Sequence, residues 1–347
     1  MKLLLILLPL MSFASSDYYP WDWFSDPVIM AQDLRRNFRE LPLEGKVISG
    51  EKFWSGDYWP LKRGNINYRW HSPRRTGFNL RSPTREEAQR MTQAELSHLS
   101  PSEKYDLYTG RYDYPLKHEV ERISANPRAE TWEGICHGWA PATMNHNEPT
   151  PKGATNPEGI VIPFGSADIK ALISWYYANG FISPTHQMGR RCYGEGSEDE
   201  CREDMNAGAF HIVLTNKIAL RNEGIIVDLK HGGEVWNHPL MSYQSEFIKW
   251  SGKKRDSAPG TVRRAKIKTM VRVLNGTGNY WGPIRATSAQ KEFTEKYVYY
   301  LDLNASHEII GGDWDSEDRP DFLWVKYRPQ EFTGILSRLG ELLNDEK

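Results

Sequence analysis

One cysteine stands where a thiol can become a nucleophile. Cys136 sits between Gly134 and Gly138 in the run WEGICHGWAPA. A helix starting there would favour the thiolate, because the free N–H groups and the dipole of a helix N-terminus attract negative charge. The two glycines permit a sharp loop-to-helix turn and the close approach of a substrate backbone. A base must come from another element. His211 lies near the start of FHIVLTN and Asp228 ends IIVDL; if both runs are strands, a hairpin sets the two side chains together and the acid holds the imidazole tautomer. His137 is nearer in sequence, but neighbours on a helix point about 100° apart, so it reads as a supporting residue. Such a set would carry acyl transfer through a thioester. The plainer readings are a buried, inert Cys136 and a core His211.

The setting of these residues is that of an exported chain. Residues 1–15 read as a signal peptide, with Lys2, an apolar run from Leu3 to Met11 and small residues around Ala14. That run is too short to span a bilayer. Cys192 and Cys201 bracket an acidic loop and are expected to form a disulfide, which leaves Cys136 unpaired. With 44 basic and 45 acidic side chains the chain has no basic excess for nucleic acid. Its 13 tryptophans and 17 tyrosines argue against disorder.

The elements that must position the candidates follow from local signals. Residues 16–125 read as an aromatic-rich region followed by helices, 126–335 as the catalytic core and 336–347 as a tail. Thr84 with Glu87 and Ser100 with Glu103 have capping-box spacing, and Pro115 to Ile123 reads as a further helix. Ser166 is expected to cap a helix that presents Ile169, Leu172, Ile173 and Tyr176 on one face and stops at Gly180. Strands are expected over 210–216, 225–229, 268–274, 297–303 and 322–327. Helices before strands imply an α+β fold with an antiparallel sheet.

The strings WEGICHGWAPA, IPFGSADIKALISWYY, AGAFHIVLTN, VDLKHGGEVWNHP and RPDFLWV resemble the transglutaminase elicitor family over about residues 53–327. The Cys-His-Gly-Trp motif is the distinctive one. In that family Val-Trp-Asn-Gln-Pro opens an epitope perceived by plants, whereas this chain has His238 in place of the glutamine. The resemblance implies a papain/transglutaminase-like core and isopeptide formation between protein glutamine and lysine or other primary amines, with no cofactor required. Cys136 would attack the carboxamide, His211 would protonate departing ammonia, and an amine would resolve the thioester. Donors to the oxyanion would be the Cys136 N–H and the indole of Trp132 or Trp139.

Two alternatives stay open. A papain-like peptidase, amidase or glutamine deamidase would use the same three residues, since they do not decide whether water or an amine accepts the acyl group. A binding protein with a vestigial triad would use the aromatic surface. Asp313, Asp315, Glu317 and Asp318 form an acidic cluster that could take calcium, but it lacks the EF-hand glycine and reads as a solvated loop. Asp302 reads as a structural acid.

Overall fold

The computed structural model describes residues 21–183, 185–191, 205–230 and 232–344. The leader at 1–15, the Cys192–Cys201 pair and His231 lie outside the described residues. The helices are α1 (Arg85–Arg90), α2 (Gln93–Ser97), α3 (Pro101–Tyr108), α4 (Pro115–Ile123), α5 (Cys136–Asn145), α6 (Ser166–Trp175) and α7 (Ala207–Leu214). The strands are β1 (Glu44–Lys46), β2 (Lys152–Thr155), β3 (Val161–Phe164), β4 (His186–Gly189), β5 (Ile225–Asp228), β6 (Asn237–Ser251), β7 (Arg263–Leu274), β8 (Glu292–Leu303), β9 (Ile309–Trp314) and β10 (Phe322–Val325).

The fold is α+β. Seven strands run in the order β4-β10-β5-β6-β7-β8-β9, every pairing antiparallel, and β1 adds to β6. A separate hairpin joins β2 to β3. The expected capping boxes close α1 and α3, and Thr92 with Glu95 closes α2 in the same way. α6 begins at Ser166, its expected cap; the cap is Gly165, one residue earlier, and its N–H donates to Asp168 Oδ2 at 2.7 Å. A π-helical turn over Tyr176–Gly180 ends the helix where glycine was expected to stop it.

Aromatics of the N-terminal region join the core. Trp54 and Trp59 are fully buried, and Trp54 donates its indole N–H to the His146 carbonyl at 3.0 Å. Two buried ammonium groups in this layer are paired. Lys104 Nζ lies 2.6 Å from Asp168 Oδ2, whose carboxylate also accepts from Trp70 Nε1 and Gly165 N, and Lys170 meets Glu148 at 2.5 Å. Asp302 is structural in the same sense, holding Arg264 at 2.6 Å and the Ala258 N–H at 2.8 Å.

One expected strand is a helix. The run containing His211 forms α7, capped by Asn206, whose side-chain oxygen accepts from Gly208 N and Ala209 N. All eight residues of α7 are buried. An element buried on every side has no polar face, so its apolar run carries neither the period of a strand nor that of a helix.

Candidate functional site

Cys136 is the first residue of α5, as the glycine-flanked turn implies. Both glycines are required by packing within the chain. A Cβ on Gly134 would stand 2.5 Å from the Tyr58 carbonyl oxygen, and one on Gly138 would stand 2.0 Å from that of Ser174. The first contact seats the turn, since Ile135 N also donates to Tyr58 O at 2.7 Å. The second lets α5 lie directly on α6. Packing against Tyr58 and Ser174 therefore suffices to require both glycines.

Cys136 is 6% exposed and free of any disulfide. Asn237 Nδ2 donates to Cys136 Sγ at 3.4 Å, and the thiol lies 3.8 Å from the Val235 carbonyl. Asn237 is itself aimed by Trp324, whose Nε1 donates to Asn237 Oδ1 at 2.8 Å, so the amide presents its NH₂ to the sulfur. Burial pushes the Cys136 thiol up. Donation from Asn237 and from the His137 backbone works against this, while Asp228 adds to it. The resting group is a neutral thiol rather than the thiolate that a helix N-terminus alone would favour.

Asp228 does stand beside this group. It is directly opposite Asn237 in the β5–β6 ladder, on the sheet face that α5 covers. Its Oδ1 accepts from Trp236 N at 3.2 Å, and its Oδ2 is buried with no hydrogen-bond partner. Burial, with the Asp321 charge beside it, raises the carboxyl to about 8, so it is largely protonated at neutral pH.

His211 is not beside Asp228. The hairpin that would have joined them does not exist, because His211 is on α7. There its Nδ1 bonds Tyr299 Oη at 2.8 Å, Tyr299 continues to Thr269 at 2.6 Å, and Thr269 to Ser245 at 2.8 Å. Its ring packs by Phe38 and Tyr299. Burial lowers its pKa to about 3. This is the arrangement of a core histidine that ties α7 to β8, β7 and β6.

The histidine that shares a cleft with Cys136, among the described residues, is His238. A cavity of about 380 Å³ is lined by Asp57, Tyr58, Cys136, Trp139, Trp236 and His238, with the 275–278 turn opposite. His238 Nδ1 lies 2.9 Å from the Leu274 carbonyl and must donate to it, which leaves Nε2 as the acceptor. Burial lowers its pKa, so the ring is a neutral base. Neither Asn237 nor His238 stood out by spacing. The signal available was their position directly after the Val235-Trp236 pair.

Of the two tryptophans considered as donors, Trp139 lines the cleft and Trp132 does not. Trp139 follows Cys136 by three positions, which puts both on one side of α5. Its Nε1 is buried without a partner. Trp132 carries the Arg191 guanidinium over its ring at 5.7 Å. His137 is exposed, one position round the helix from Cys136. Three members of the acidic cluster are engaged by cations: Asp313 by Arg264 and Lys254, Asp315 by Lys266 at 2.7 Å, and Asp318 by Lys230 at 3.3 Å. Among the described residues no group of three or more His, Cys, Asp or Glu side chains is placed to hold a metal ion.

Comparison with known proteins gives two matches of different kinds. The family model described as transglutaminase elicitor matches residues 127–338. A crystal structure of the GP42 transglutaminase from Phytophthora sojae superposes with a TM-score of 0.67 at 20% identity, covering 89% of this chain and 92% of that one. That likeness is one of fold. No curated protein matches the chain.

Proposed function

The chain belongs to the transglutaminase elicitor family, and from that premise we propose that it is an exported acyltransferase whose nucleophile is Cys136 and whose base is His238. The observation that carries this reading is a single cleft lined by a free cysteine at a helix N-terminus, a neutral imidazole and a tryptophan whose N–H has no partner. His238 takes the role given to His211 in this reading because it lines the cleft with Cys136, whereas His211 is bonded to Tyr299 in the core. Export is supported by the leader expected over residues 1–15; no described helix is long and apolar enough to cross a membrane.

His238 Nε2 takes the Cys136 proton as the sulfur attacks the side-chain carboxamide carbon of a glutamine. The oxyanion is met by the Cys136 N–H and the Trp139 indole N–H. The imidazolium returns its proton to the departing nitrogen, ammonia leaves and a thioester remains. A primary amine then attacks the thioester carbon, passing a proton through His238 to the released thiolate, and the isopeptide forms. Asn237 holds the sulfur in place between turnovers. Asp228 bounds the site as a neutral acid and is not required to orient His238, whose Nδ1 is already held by Leu274.

Mass spectrometry of a glutamine-bearing protein incubated with the enzyme, with and without a primary amine, tests the reading. Amine adducts that vanish in Cys136→Ala and His238→Gln but persist in His211→Gln are the expected result. Backbone cleavage instead would select the peptidase reading, and a one-dalton deamidation shift with no amine adduct would select the deamidase. His231→Gln belongs in the panel, since retained activity in His238→Gln with loss in His231→Gln would overturn the assignment of the base.

A further inference from the structure

Lys46 of β1 lies opposite Ser242 of β6, and Ser242 lies opposite Arg272 of β7, so three polar side chains form a row on one face of the sheet. Lys52 and Arg285 join this row from loops, and the five residues line a cavity of about 210 Å³. Four of the five are cations. The one carboxylate of the lining, Glu292, is held by Arg272 at 2.6 Å. Arg285 is seated by its backbone N–H on Glu148 at 2.8 Å and by its Nε on the Lys52 carbonyl at 2.9 Å. Among the described residues Lys46 and Lys52 make no ion pair, and the Ser49 and Ser242 hydroxyls make no hydrogen bond. The cavity also holds an acceptor without a donor: Gln290 Oε1 is buried and unpartnered, while Gln290 Nε2 donates to the Phe53 carbonyl at 3.3 Å and to Glu292 at 3.1 Å. Past Val47, Ser49, Lys52 and Phe53 the space continues into a second cavity of about 280 Å³, which reaches Asn145 and Tyr327. The two cavities form one groove. It shares no lining residue with the Cys136 cleft, and Asn145 ends the helix that Cys136 begins.

We propose that this groove binds a phosphate or sulfate monoester of a polyhydroxy carrier such as a sugar. Both esters present three terminal oxygens in a tetrahedral array, enough lone pairs for donors that converge from several directions. Lys46, Lys52 and Arg285 supply charge-assisted hydrogen bonds to them, and the Ser49 and Ser242 hydroxyls supply neutral ones. A flat carboxylate has one oxygen fewer and would leave part of this donor set unused. A hydroxyl of the carrier donates to Gln290 Oε1, which removes the cost of that buried unpaired oxygen. The rest of the carrier runs past Phe53 toward the half-exposed Tyr327 ring.

Isothermal titration calorimetry of the full chain with glucose 6-phosphate, glucose 6-sulfate, inorganic phosphate and glucose tests the proposal. At least one ester should bind, and more tightly than inorganic phosphate, while glucose gives no heat of binding. Lys46→Gln and Lys52→Gln should each weaken the ester about tenfold, the loss of one charge-assisted contact. Lys249→Gln, which removes an exposed lysine of β6 outside the groove, should change it by less than about twofold. Tighter binding of glucose 6-phosphate would assign a phosphorylated carrier and tighter binding of glucose 6-sulfate a sulfated one, and either upholds the site. Binding of neither ester would overturn the proposal, and so would a loss in Lys249→Gln equal to that in Lys52→Gln, which marks attraction to surface charge at large. Inorganic phosphate bound as tightly as both esters would overturn the place given to the carrier. Cys136→Ala should bind the ester with unchanged Kd, so the result stands apart from the acyltransferase reading; a shifted Kd there would overturn the separation of groove and cleft.

Discussion

The indole N–H of Trp139 is the feature of the cleft whose removal has opposite consequences for rate and for stability. It is buried with no partner, so the folded protein bears the desolvation cost of an unmade bond, about 1–3 kcal/mol. Replacing the indole with its benzothiophene isostere keeps the ring shape and deletes the donor. No hydrogen bond is lost, and stability should stay level or rise by up to about that amount. If the N–H meets the oxyanion, kcat should fall roughly 10²- to 10³-fold, the loss of about 2.7–4 kcal/mol of transition-state stabilisation. Trp139→Phe gives the same direction in rate, with an added packing cost of about 1–3 kcal/mol because a fully buried ring is shortened. Ammonia release from a glutamine donor under saturating conditions, read beside thermal unfolding, separates the two quantities. An isostere that keeps kcat within about threefold while staying folded would refute the role.

Two further outcomes follow from buried charge. The Asp228 carboxyl, raised to about 8 in the fold, stays protonated from its unfolded value of about 4 up to about 8 while the unfolded chain ionises; the folded state then binds more protons, so stability declines with pH across that window. Asp228→Asn should remove about one proton's worth of that slope, roughly 1.4 kcal/mol per pH unit in denaturant titrations between pH 5 and 7, and an unchanged slope would show that the group ionises freely in the fold. Lys104→Met should destabilise by about 3–5 kcal/mol, since it strands the fully buried Asp168, and Lys104→Met with Asp168→Leu should recover part of the loss; chemical denaturation that finds the single variant within about 1 kcal/mol of wild type would contradict a buried charged pair.

The nucleophile and much of the framework could be read from local chemistry. Capping boxes at Thr84 and Ser100 and the proline start at Pro115 depend on residues three or four apart, so the sequence alone located α1, α3 and α4. The turn at Cys136 was legible for the same reason, and its glycines are required by packing against Tyr58 and Ser174. The partner of the thiol was not legible, because it depends on which elements meet in space. The α7 run is apolar on all sides and reads as strand or helix alike; once it is a helix, His211 turns to Tyr299 and leaves the site. Only the antiparallel register of β5 with β6 places Asp228 opposite Asn237 and brings His238 to the cleft wall. Protonation was likewise decided by the fold. Local sequence favours a Cys136 thiolate and an Asp228 carboxylate, but packing α5 on the sheet removes both from water, and desolvation outweighs the helix terminus and holds each in its neutral form.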